Sequence, residues 1–124
     1  MLIKMIADNI KAVRQRIARS CEKAGRPADS VTLVCVTKGA GLDRIEEALG
    51  LGVKVIGENR VQEALQKYAL IGSRAEWHMV GHLQTNKAKD AVKIFSLIHS
   101  VDSIGLVKEI DKEAAKIGKV QDIL

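Results

Sequence analysis

The chain has 124 residues, 47% of them hydrophobic and 28% charged, enough apolar material for one core of its own. Twenty lysines and arginines against fifteen acids give a formal +5 that is dispersed along the chain, and one Phe, one Tyr and one Trp supply no set of stacking rings, so no nucleic-acid partner is expected. No stretch has the length and apolarity of a membrane span, and two cysteines are too few for a disulfide framework, so a cytoplasmic protein without a membrane partner is the expectation.

Ile6, Ile10, Val13 and Ile17 recur at spacings of four, three and four, which predicts an amphipathic helix from about residue 3 to 24. Gly25 can end it and Pro27 fixes the exit. Residues 31–37 are β-branched at five of seven positions and continuously apolar from Leu33 to Val36. That pattern predicts a parallel strand covered on both faces, with Cys35 inside it as apolar filler. After Lys38, Gly39-Ala40-Gly41 reads as a flexible turn. Ile45, Ala48 and Leu49 then mark a short helix that Gly50 and Gly52 close.

Strands are predicted over 53–57, 76–81 and 95–101, with a fifth beginning at 120–124. Between them fall a helix over 60–70 with Val61, Leu65 and Tyr68 on one face, and one over 86–92 that Thr85 could cap. A third, over 103–117, uses Ile104, Val107, Ile110 and Ala114. Strand, short loop and helix thus repeat in the βα cadence of an α/β protein. A complete eight-stranded barrel needs about 250 residues, and this length supplies about half. The alternative is an open doubly wound sheet, although Gly39-Ala40-Gly41 is no G-x-G-x-x-G phosphate loop. Pattern alone leaves the two architectures even.

Polar residues at the C-terminal ends of parallel strands are where such folds place their sites. Lys38 is the first candidate: a partly desolvated amine there can add to an aldehyde, although a lysine merely reaching for water is the plainer reading. Asn59, after Gly57-Glu58, could hydrogen-bond a ring substituent; on composition alone the stronger reading is a helix cap with Gln62 three residues on. His78 and His82 lie four apart, but in a strand that spacing separates them by about 13 Å, which argues against one shared metal ion. His82 is better placed for a hydrogen-bonding role. His99, Ser100 and Asp102 cannot form a hydrolytic triad, because adjacent strand residues point to opposite faces.

Four ordered motifs carry a resemblance. Leu33-Val34-Cys35-Val36-Thr37-Lys38 is similar to the cofactor-lysine strand of the pyridoxal phosphate homeostasis proteins, a YggS-like family also called proline synthase co-transcribed proteins. Residues 57–63, 77–87 and 98–102 resemble its second, third and fourth motifs. The likeness runs from about residue 3 to the last residue and covers the N-terminal half of the family pattern. It implies an incomplete (β/α)8 barrel domain over 1–124, like the N-terminal domain of alanine racemase, with about four βα units after an N-terminal helix. It implies pyridoxal 5′-phosphate (PLP) as cofactor, held as a Schiff base on Lys38, with Asn59 near the ring.

The activity implied is PLP, vitamin B6 and amino-acid homeostasis without robust turnover. PLP and amino acids are the implied partners. Complete relatives are expected to be monomeric, and a half-length chain with open sheet edges is expected to self-associate. The missing half would hold the phosphate-gripping loops, so weaker cofactor binding is expected than in a complete relative. Two alternatives stand: a PLP-dependent racemase-type enzyme, which needs an acid or base on each side of the substrate carbon, and an inactive fragment with basic-surface interactions.

Overall fold

Five short strands and five α-helices alternate through residues 2–124, which the computed structural model describes. In chain order they are α1 (Leu2–Ala24), β1 (Val34–Val36), α2 (Leu42–Gly50), β2 (Val55–Glu58), α3 (Val61–Ile71), β3 (Glu76–Met79), α4 (Ala88–Ile94), β4 (Leu97–Ile98), α5 (Ile104–Lys116) and β5 (Asp122–Ile123). They divide between two compact units. The first joins the chain through Leu33 to Ala40–Val53, and the second comprises Val34–Gly39 and Lys54–Leu124. No helix among the described residues is long and apolar enough to cross a membrane.

In the first unit α1 contacts α2, and Gly25 takes φ +69° at the helix end, a conformation that favours glycine. Arg14 Nη1 donates to the Leu51 carbonyl at 2.7 Å, tying α1 to the turn that closes α2. Cys21, Ile45, Ala48 and Val53 are its buried apolar residues.

The second unit holds all five strands in the order β1-β2-β3-β4-β5, every neighbouring pair parallel. Each strand lies beside its neighbour in sequence, without the order reversal that defines the crevice of a doubly wound sheet. Ile56, Trp77, Met79, Leu83, Phe95 and Ile98 are all but fully buried. Ala64, Ala88 and Ala91 are wholly buried, and their small side chains suit the contact of α3 with α4 and of α4 with α5. Trp77 packs edge-on against Tyr68 with ring centres 5.5 Å apart, and its indole donates to the Gly72 carbonyl at 2.9 Å. A buried tryptophan therefore keeps its polar atom satisfied.

Four expectations need correction. β1 is only half-buried, and Val36 is 51% exposed, because β1 pairs with β2 alone among the described strands. The buried stripe of α5 is Leu106, Ile110 and Ala114, at successive spacings of four, so Ile104 and Val107 fall off it and are exposed. Thr85 opens a short 3₁₀ turn instead of capping α4, whose cap position is Lys87. The strand expected over 95–101 shrinks to Leu97–Ile98, since the Phe95 amide bonds to the Ala91 carbonyl and closes α4.

Candidate functional site

The register pairs Val36 of β1 with Gly57 of β2, and Lys38 and Asn59 each follow two residues later at the C-terminal edge of the sheet. Lys38 is exposed, which fits the plainer reading of a lysine reaching for water over that of a partly desolvated amine. Its side chain makes no hydrogen bond or ion pair among the described residues. The chain turns immediately after it, with Gly39 at φ +69°. Asn59 is half-buried, and Gly81 is pressed against its backbone. A Cβ at position 81 would lie 2.6 Å from the Asn59 carbonyl oxygen, so the loop after β3 can approach this closely only through glycine. The cap position of α3 is Arg60, without a side-chain capping bond, so Asn59 is not the helix cap.

Beneath this edge lies a network that sequence reading did not anticipate. Lys67 of α3 donates to the Thr37 carbonyl at 2.6 Å and to Glu63 Oε1 at 2.9 Å, and its ammonium lies 2.5 Å from Glu58 Oε1. The Gly39 amide donates to the same Glu63 oxygen at 2.9 Å. Glu58 is fully buried. Burial works to lower the Lys67 pKa, but its hydrogen bonds to Glu58 and Glu63 together outweigh that and hold it above the ordinary lysine value. The Gly39 amide, with help from Lys67, holds the Glu63 carboxyl below its ordinary value. The spacing of Glu63 and Lys67, four apart on a helix, was the one readable signal of this pairing.

Another partly buried lysine is also engaged. Lys119 donates to the Val92 and Phe95 carbonyls at 2.6 and 2.7 Å and so satisfies the end of α4, while burial pushes its pKa down. Lys67 and Lys119 are thus sequestered where Lys38 is free.

A cavity of about 590 Å³ opens at the ends of β2 and β3, lined by Asn59, Arg60, Gln62, His82, Gln84 and Lys87 among others. No acid lines it. Asn59 therefore lines a recess of mixed polarity that carries the cations Arg60 and Lys87 and that Lys38 does not line.

A second unanticipated cluster joins β3 to β4. Glu76 Oε2 lies 3.1 Å from His78 Nε2, and His78 Nδ1 lies 3.0 Å from His99 Nε2. Burial, reinforced by His78, lowers the His99 pKa. His82 stands apart from His78, exposed and 3.8 Å from Asp102. Ser100 donates its hydroxyl to the Val80 carbonyl at 3.1 Å. Among the described residues no group of three or more His, Cys, Asp or Glu is arranged to hold a metal ion.

No family model matches the chain. It is 44% identical over 118 residues to the pyridoxal phosphate homeostasis protein of Aquifex aeolicus, covering 94% of this chain and 52% of that protein. Identity to the protein of the same name from Synechocystis is 40% over 92 residues, covering 73% of this chain and 42% of the relative. Among solved structures, PipY of Synechococcus elongatus with PLP bound matches with a TM-score of 0.81 at 37% identity, over 95% of this chain and 52% of that one. An unknown protein from Bifidobacterium adolescentis matches with a TM-score of 0.87 at 34% identity, over 98% and 54%. The chain spans about half the length of the relatives it matches. By sequence and by fold, it is a homologue of the pyridoxal phosphate homeostasis proteins.

Proposed function

We propose that this chain takes part in holding pyridoxal 5′-phosphate, with Lys38 as the amine that takes the cofactor's aldehyde and Asn59 lining the ring side of the site. The observation that carries this reading is an exposed, unpaired amine on a tethered backbone at the C-terminal edge of a parallel sheet. The donor set fits the aldehyde end of the cofactor: a free amine just after β1 and, just after β2, the half-buried Asn59, whose backbone leaves no room for a side chain at position 81. When bound, PLP supplies a reactive carbonyl and an electron-withdrawing ring. Lys38 supplies the point of attachment, Asn59 a hydrogen bond that orients, and Lys67 stays engaged and leaves the aldehyde to Lys38.

The sequential parallel strand order supports reading 1–124 as about four βα units of a (β/α)8 barrel of the alanine racemase N-terminal type, preceded by α1. The names of the relatives and the PLP in PipY support a role in vitamin B6 and amino-acid homeostasis over an enzyme with steady turnover. We place that role in the cytoplasm, with amino acids as secondary partners and self-association through the open strand edges. The test is incubation with PLP, borohydride reduction and peptide mapping. An adduct concentrated on Lys38 is expected, and label scattered over surface lysines would reject the reading.

The Glu76–His78–His99 chain favours a second reading, a racemase-type enzyme, because it sets titratable groups on adjacent strands. Solvent deuterium appearing at the α-carbon of alanine in the presence of PLP, and lost in Lys38→Ala, would decide for it.

A further inference from the structure

Lys38 has no side-chain partner, yet the peptide groups on both sides of it are held. The Thr37 amide donates to the Gly57 carbonyl at 3.0 Å, which continues the β1–β2 ladder. The Thr37 carbonyl accepts from Lys67 Nζ, and the Gly39 amide donates to Glu63 Oε1. Glu63 and Lys67 are bonded to each other, and Lys67 is anchored in turn on the buried Glu58. Three backbone atoms around one residue are therefore tied down while its side chain is left free. A strand end followed by a left-handed glycine has little of its own to hold it, so these ties set the direction in which the amine leaves the sheet.

We propose that Glu63 and Lys67 are positioning residues that aim Lys38, a role that rests on reading Lys38 as the cofactor amine. The arrangement also sorts two neighbouring amines. Lys67 is engaged by Thr37, Glu58 and Glu63 and remains a cation, whereas Lys38 is presented without a partner. Arg60 is the other charge acting on Glu63, and it reinforces the ionised carboxylate.

The test compares the wild type with Glu63→Ala, Glu63→Gln and Lys67→Met. Hydrogen exchange at the Gly39 amide reads the tether without any cofactor. The initial rate of PLP and borohydride labelling at Lys38, relative to surface lysines in the same digest, reads the aim of the side chain. Glu63→Ala should speed Gly39 exchange and lower the Lys38 ratio about tenfold, as misplacement of a reacting group does. Glu63→Gln keeps an oxygen acceptor for Gly39 and should retain most of both, a rescue that loss of global stability cannot mimic. Lys67→Met should lower the same ratio in whatever fraction remains folded.

Wild-type Gly39 exchange in Glu63→Ala would overturn the proposal, and so would an unchanged Lys38 ratio beside faster exchange. If Gly39 loses protection in Glu63→Ala while wild-type Lys38 labels no better than surface lysines, the tether stands and the cofactor reading fails.

Discussion

The β1–β2 and β3–β4 strand pairs each carry a polar network, and the two are built on opposite principles. At β1–β2 Lys67 and Glu63 hold backbone groups and pair with each other, with Lys67 set against the wholly buried Glu58. At β3–β4 a glutamate and two histidines bond only to one another and to no backbone. A neutral His78 that donates from Nε2 to the Glu76 carboxylate must accept at Nδ1, so His99 donates from its Nε2. Protonating both rings puts two donors face to face and breaks the chain. The first network is therefore a tether that holds across the middle of the pH range, whereas in the second burial holds the His99 pKa below the ordinary histidine value.

The contrast breaks most strongly at Lys67. Lys67→Met leaves Glu58 buried without its cation, and removing one partner of such a pair costs about 3–5 kcal/mol. Urea unfolding should show that loss. The double change Glu58→Leu with Lys67→Met should recover most of it, since an apolar pair of similar size removes the uncompensated charge.

The histidine pair is the weaker one. His99→Phe leaves His78 Nδ1 without its donor and should cost about 1–2 kcal/mol at pH 8. Its pH dependence separates the two regions more sharply. The His99 pKa is lowered in the folded state, so the folded protein binds fewer protons than the unfolded chain. Stability should be highest above the ordinary histidine value of 6.5 and fall as pH drops below it towards the folded pKa. His99→Phe should flatten that limb.

The tether has the reverse limits. Glu63, with its pKa lowered, contributes above 4.5 and loses its contribution as pH falls through the lower folded value. Lys67, with its pKa raised, contributes fully below 10.5 and loses its contribution as pH rises through the higher folded value. A urea midpoint that is flat from pH 5 to 8, in wild type and His99→Phe alike, would remove the contrast.

An effect of similar size to that at His99 is expected at the turn itself. Gly39 has open space around it, so Gly39→Ala tests backbone strain alone. A left-handed residue with a Cβ costs about 1–2 kcal/mol, and the unfolding free energy should fall by that amount if the tether holds the turn in place. No change would mean that the turn relaxes freely.

Much of this was legible from local pattern. The apolar run 33–36 ending in Lys38, and the helices predicted over 60–70 and 103–117, follow from periodicity, which needs no knowledge of neighbours. What stayed hidden depends on packing. Glu58 reads as a polar strand-end residue until α3 is laid beside β2, and the His78–His99 contact exists only once β3 and β4 are in register. Ile104 and Val107 look as apolar as Leu106 and Ile110, and only the direction in which α5 faces its neighbours decides among them. Asn59 is the plausible cap in sequence, yet the cap position falls one residue later, at Arg60, whose side chain makes no capping bond. Lys38 was readable as a candidate, whereas the residues that hold its backbone were not.

The most direct test of the central claim is an absorbance titration of the chain with PLP beside Lys38→Ala. The account predicts a saturable band in the wild type that Lys38→Ala lacks while remaining folded. The same band in both proteins would contradict it, since the aldehyde would then be taken by some other amine.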